Sequence, residues 1–232
     1  VEAVKEFQVL VAPFDVRQGS FTGGLVNTIT RSGTNDWSGS LFAYYQDKGI
    51  SGFRDDPTFP GLSVGQYGGT LGGPIIRDRL HFFTAVDIQD REAPFSSSFN
   101  LTGEDASDIA RTGFTLADAT RFRDILEDTY GMTGIGDPTA PELSNPNVNL
   151  FGKLSYQADR LGLFELTYNR VDAERDILGR NATSTTIPGR LRDGYQLSNS
   201  GYVFDNVTNT ARLKWTSQFG RGISNEFLAG YS

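Results

Sequence analysis

The sequence predicts an all-β chain of antiparallel strands with one short helix. Three observations carry that prediction. Apolar and polar residues alternate over strand-length windows, most clearly in Trp37–Gln46, Val148–Gln157 and Thr210–Thr216. Tight turns alternate with long polar connections. The unit from Leu71 to Phe83, with Gly72-Gly73-Pro74 and Arg77-Asp78-Arg79 between two apolar stretches, is the clearest hairpin. Finally, no run of 18 or more apolar residues occurs, so no transmembrane helix is expected. Strands apolar on one face, joined by short turns at one end and long loops at the other, have the layout of a transmembrane antiparallel β-barrel.

The elements follow in order. Val4 to Val11 alternates and reads as a half-buried strand. Ala12 to Gly19 is a loop, and Gly23-Gly24 interrupts the approach to a second short strand ending at Thr30. Arg31 to Asp36 is a turn by composition. From Trp37 a strand of about ten residues is long enough to cross a tilted bilayer path. Asp47 to Leu62 is a polar loop, Ser63 to Gly73 a Gly-rich return strand, and Pro74 to Asp78 the turn into Leu80–Gln89. The segment from Asp90 to Asn147 is too long for an ordinary connection and too polar for a core. Within it Thr115 can cap a helix with Asp118 three residues on, Leu116, Ala119, Phe122, Leu126 and Tyr130 form an apolar stripe, and Gly131 can stop it. Val148 to Gln157, the turn at Ala158-Asp159-Arg160 and Leu161 to Ala173 restore the hairpin rhythm. Glu174 to Gly201 is a second long loop. Tyr202 to Phe219, a turn at Arg221-Gly222 and Ile223 to Tyr231 complete roughly seven strands after the opening segment. The chain opens and closes within strand patterns, with no initiating Met and no signal peptide, so it is read as an internal piece of a longer polypeptide.

Composition narrows the chemistry. The net charge of −7 gives no basic footprint for nucleic acid. With no Cys there is neither a disulfide framework nor a thiolate site, and a single histidine, His81, rules out a multi-His metal centre within the chain. Gly23-Gly24 and Gly68-Gly69 lack the Lys-Ser or Lys-Thr of a phosphate loop and are read as close backbone approach or bending. The acidic groups Asp55-Asp56, Glu104-Asp105-Asp108 and Asp172-Glu174-Asp176 match no EF-hand spacing and are read as solvated loop charge rather than a Ca²⁺ site. No catalytic, cofactor or metal residue is expected, and the chain is read as a non-enzyme.

Period-two alternation divides the strands into two faces. Leu41, Phe82, Leu154, Leu166, Leu213 and Trp215 are expected toward lipid. Ser40, Lys153, Glu165, Asn169, Arg212 and Lys214 are expected toward the barrel interior, where they would contact a plug or solute. Trp37, Tyr45, Phe83, Tyr156, Tyr168, Trp215 and Tyr231 are read as parts of interfacial aromatic girdles.

Two motif groups carry a family resemblance. Glu6 to Arg17, followed by Gly23-Gly24-Leu25-Val26-Asn27-Thr28-Ile29-Thr30-Arg31-Ser32-Gly33-Thr34-Asn35, resembles the end of the plug domain of TonB-dependent outer-membrane transporters of the Oar-like branch. Trp37-Ser38-Gly39-Ser40 and Gly72 to Phe83 are similar to that family's first barrel strand, first periplasmic turn and third strand. The resemblance is specific up to about Phe83. It implies a barrel of about 22 strands filled by a plug. Residues 1–36 would be the C-terminal end of the plug and 37–232 the N-terminal barrel strands. The implied partners are outer-membrane lipid, the TonB complex reached through a preceding segment, and an unidentified bulky solute, peptide or protein. An outer-membrane barrel with an adhesive or scaffolding role in a surface assembly is the alternative, and a secreted β-rich enzyme a third.

Overall fold

A computed structural model describes residues 2–11, 24–52, 62–94, 100–139, 141–178, 197–220 and 222–232. The expected loop at Ala12–Gly19, the Asp55-Asp56 pair and Arg221 lie outside the described residues. Two antiparallel sheets organise the rest. The small one pairs β1 (Val4–Val11) with β2 (Gly24–Thr30), through Phe7↔Thr28 and Val9↔Val26. The large one contains β3 (Ser38–Gln46), β4 (Ser63–Ile76), β5 (Leu80–Pro94), β6 (Glu142–Ser144), β7 (Asn147–Ala158), β8 (Gly162–Ile177), β9 (Tyr202–Phe219) and β10 (Ile223–Tyr231). Its order is β3-β4-β5-β7-β8-β9-β10, with the short β6 pairing β5 off this path.

The register builds two different faces. Directly opposed residues share a face, so Phe82, Leu154, Leu166 and Leu213 form one continuous apolar row, and Leu80, Tyr156, Phe164, Trp215 and Phe227 another. The adjacent row, Phe83, Lys153, Thr167 and Arg212, points the other way. Nothing packs over the apolar face among the described residues. Leu41 is 92% exposed, and Trp37, Tyr67, Leu71 and Leu166 are exposed as well. A sheet with one contiguous uncovered apolar face demands an apolar solvent or a partner.

Both turn ends are internally consistent. The β4–β5 turn and the β7–β8 turn lie side by side: the Gln157 N–H donates to the Arg79 carbonyl at 2.7 Å and Arg79 faces Asp159 at 3.6 Å. Trp215 Nε1 donates to the Leu161 carbonyl at 2.7 Å, and its ring stacks on Phe164 at 5.5 Å. At the opposite end the two long connections are sewn together, since the Asp137 N–H donates to Ser198 Oγ at 2.7 Å and the Ser198 N–H to the Asp137 carbonyl at 3.0 Å.

Several expectations are corrected. β4 continues through Pro74 to Ile76, so the turn is Arg77-Asp78-Arg79, with Asp78 at φ 62°. Pro74 is tolerated in the strand because β3 ends opposite Gly72, leaving one side of β4 unpaired at that level. β5 and β8 run on to Pro94 and Ile177, because polar residues do not end a strand whose backbone is still paired. The long connection holds two helices instead of one, α1 (Asp105–Thr112) and α2 (Leu116–Asp128). α1 lacks a side-chain cap at Glu104 and stops at Gly113 in the left-handed region, so its start carries no sequence signature. α2 has the expected box: the Asp118 N–H donates to Thr115 Oγ1 at 3.0 Å, while Thr115 Oγ1 and N–H donate to the Asp118 carboxylate at 2.7 and 3.1 Å. These bonds, the hydroxyl's first, hold the Asp118 carboxyl below its ordinary value of 3.8. Past α2, Gly131 at φ 63° donates to the Glu127 carbonyl and turns the chain. Most of the buried apolar residues belong to this loop region and the strand ends beside it: Leu101, Ala119, Ile135, Leu178 and Leu197.

Candidate functional site

The polar face of the large sheet is the chemically distinctive surface. The sheet register puts all five interior candidates on it: Lys153 in the row of Thr167 and Arg212, Glu165 directly opposite Lys214, and Asn169 opposite Thr210. Ser40 lies on the same face, its hydroxyl 2.8 Å from that of Thr70. Lys153 Nζ sits 2.7 Å from Glu165 Oε1, with side chains only 10% and 19% exposed. A second, looser pair joins Lys214 to Glu226 at 3.7 Å. Gln66 Nε2 donates to both oxygens of Asp87, at 3.0 and 2.9 Å. In cross-strand terms these are diagonal neighbours on one face, the spacing at which long polar side chains meet.

The small sheet stands over this face. A cavity of about 200 Å³ is bounded by Thr28 and Thr30 of β2 on one side and by Lys153, Glu165, Arg212 and Lys214 on the other. A larger one, about 640 Å³, lies between Lys5, Ile29 and the 31–34 linker on one side and Ser40, Thr70 and Phe83 on the other. Phe83 corrects the girdle expectation. Its neighbour Phe82 faces the apolar side, so strand alternation turns Phe83 the opposite way, where it is buried against Phe151 at 6.2 Å. Of the other girdle candidates, Tyr156, Tyr168, Trp215 and Tyr231 share the apolar face. Trp37 packs edge-on to Phe82 at 5.6 Å.

The segment joining β2 to β3 is fixed to the β4–β5 turn by one side chain. Asn35 Nδ2 donates to Asp78 Oδ1 at 2.6 Å. Asn35 Oδ1 accepts from the Asp78 N–H at 2.8 Å and lies 2.8 Å from His81 Nε2. Gly33 passes so close to the Phe82 carbonyl that a Cβ would collide with it. Gly73 leaves the space that the Trp37 ring occupies, since a Cβ there would fall 2.8 Å from the ring. Asn35 and His81 were separated by sequence distance, and nothing in the spacing announces their contact.

The expectation of solvated loop charge is corrected for two of the acidic groups: Asp108 lies in α1, and Asp172, Glu174 and Asp176 lie in β8, because the strand stays paired past its apolar pattern. Asp108 is fully buried and accepts from the N–H groups of Thr102 and Gly103 and from the Thr102 hydroxyl, all within 3.1 Å. Asp172 pairs with Arg170 at 2.6 Å, and Asp176 accepts from the Ser144 N–H at 2.8 Å.

An antiparallel sheet with one lipid-compatible face, one polar face, short turns at one end and long loops at the other defines a transmembrane β-barrel protein. The chain belongs to the outer membrane beta barrel domain family, whose family model matches residues 29–154. It is similar to the TonB-dependent transporter Oar of Myxococcus xanthus, 30% identical over 131 residues, an alignment covering 51% of this chain and 12% of that protein. The chain therefore spans a small part of the length of this relative. No solved structure matches it. The protein is an outer-membrane barrel related to a TonB-dependent transporter, and its place is the outer membrane.

Proposed function

We propose that the chain is the closing part of a plug and the first wall strands of a TonB-dependent transporter that moves a bulky solute, peptide or protein across the outer membrane. The observation that carries this reading is the small β1–β2 sheet standing over the polar face and joined to β3 through the anchored 31–36 linker. A plug in a barrel needs that arrangement, and a soluble sandwich would instead cover the apolar face. On this reading residues 1–36 are plug and 37–232 wall. Lys153, Glu165, Asn169, Arg212 and Lys214 line the interior, and the apolar rows meet lipid. The edges β3 and β10, unpaired among the described residues, meet further wall strands, because an open sheet edge is untenable in hydrocarbon. The turn at Arg77–Arg79 is periplasmic and the Asp90–Asn147 connection lies outside the cell. The TonB complex acts through a segment preceding the plug end. The chain works by binding and passage, with no covalent step.

One observation favours an adhesive or scaffolding role instead. The folded loop region presents large apolar side chains to solvent, Phe122 at 55%, Tyr130 at 71% and Met132 at 50% exposure. The separating experiment follows accumulation of a fluorescent peptide set in cells expressing the full-length natural protein, with and without TonB. Energised uptake lost without TonB supports transport. Surface binding without uptake, indifferent to TonB, supports the adhesive reading.

A further inference from the structure

We propose that the space between β2 and the polar face is a binding subsite for a small anionic group, a carboxylate or phosphate carried by the transported solute, with Arg212 as its principal contact. The proposal rests on the reading that this face is the barrel interior. Its starting point is a local charge imbalance. Lys153, Arg212 and Lys214 border the cavity with a single carboxylate, Glu165, in a chain whose net charge is −7. The two lysines are answered, Lys153 by Glu165 at 2.7 Å and Lys214 by Glu226 at 3.7 Å. Arg212 is not: among the described residues it makes no hydrogen bond or ion pair, and its side chain is exposed to the cavity.

The neighbours of Arg212 explain why. Across β8 it faces Thr167, which offers a hydroxyl and no charge. Across β10 it faces Gly230, which has no side chain and leaves that flank open. Asn27, Thr28, Ile29 and Thr30 border the cavity from β2, and none of them carries a charge. Among the described residues the guanidinium thus has its planar donor fork unengaged, the geometry suited to two-point recognition of a carboxylate or phosphate. A cation excess in a cleft with protein walls concentrates anions there. Arg212 is also nearer the Phe219 end of β9, where the short turns lie, than the Tyr202 end. The subsite therefore belongs to the exit half of the path, below the long loops.

The test uses the full-length natural protein in detergent, its fold checked by heat-modifiable gel mobility, titrated calorimetrically with citrate and with inorganic phosphate. Saturable binding is expected, weakened about tenfold or more in Arg212→Gln, as losing a hydrogen-bonded charge requires. Arg212→Lys, which keeps the charge and loses the fork, should fall between the two and keeps the test readable should the glutamine variant misfold. Arg175→Gln, on the same strand pair but away from the cavity, should bind like wild type. Undiminished binding in both Arg212 variants, or no binding to the folded wild-type protein, overturns the subsite. The two readings fail separately. Arg212-dependent binding with TonB-independent uptake removes the transport reading alone, whereas energised uptake with Arg212-insensitive binding removes only the subsite.

Discussion

Asn35 and Asp78 show how much of the site depends on single side chains. Asn35 uses both amide atoms on the β4–β5 turn, and Asp78 holds a left-handed conformation there. Asp78→Gly should leave the turn intact, whereas Asp78→Val should cost about 1–2 kcal/mol because a β-branched residue is strained in that region. Thermal denaturation of the full-length protein compares them. Lys153 and Glu165 are a nearly enclosed pair. Lys153→Met alone should cost about 1–3 kcal/mol by leaving a carboxylate unanswered, and the double change Lys153→Met with Glu165→Leu should cost less than that single one. A double change costing the sum of the two singles would mean that the charges do not interact. That Lys153, Glu165, Asn169, Arg212 and Lys214 share one face of the sheet was legible in the sequence because side chains alternate along a strand. The Asn35–His81 contact was not, because it joins residues that only the folded hairpin brings together. Phe83 was misassigned by its aromatic character, although its parity with Phe82 already placed it on the polar side.

Strands and helices differ in how visibly the sequence marks them. β1, β9 and β10 keep the bounds expected from the sequence, Val4–Val11, Tyr202–Phe219 and Ile223–Tyr231. β5 and β8 outrun their apolar patterns, since pairing continues into residues that no longer need to meet lipid. α2 was announced by Thr115 and Asp118, while α1 has no capping side chain and stayed invisible. Thr115→Ala should cost α2 about 1 kcal/mol. The Asp118 half of the box follows pH with a definite sign. Its carboxyl titrates lower when folded, so its contribution is complete above the ordinary value of 3.8 and is lost as pH falls through the lowered one. Fraying of the first turn on acidification, read from amide chemical shifts of Leu116–Ala119, checks it, and the Thr115→Ala protein should lose that pH response. The Asp90–Asn147 connection should be cut by protease added to intact cells, at exposed positions such as Met132. Cutting only after the outer membrane is permeabilised would reverse the topology.

The large sheet as a whole presents an apolar face and a polar face, each suited to a different solvent. The hairpin rhythm was enough to read a barrel wall, because alternation and turn length point the same way. What the sequence left out is the docking: the cavities between the small sheet and the wall arise from contacts far apart along the chain. Leu213→Arg should cost about 2–4 kcal/mol if it lies at mid-membrane depth, and Thr210→Arg, on the opposite face, far less. Equal defects would argue against this register. The most direct measurement is site-directed spin labelling, for which this chain contributes no cysteine of its own and any cysteine elsewhere in the protein is first replaced by serine. Single cysteines at Ala211, Arg212, Leu213, Lys214 and Trp215, spin-labelled in the full-length protein in bilayers, report collision with oxygen dissolved in lipid and with a water-soluble nickel chelate. The account predicts strict alternation, with 211, 213 and 215 accessible to oxygen and 212 and 214 shielded from it. Uniform accessibility along the series, or alternation of the opposite phase, would contradict a wall strand with Arg212 and Lys214 inside.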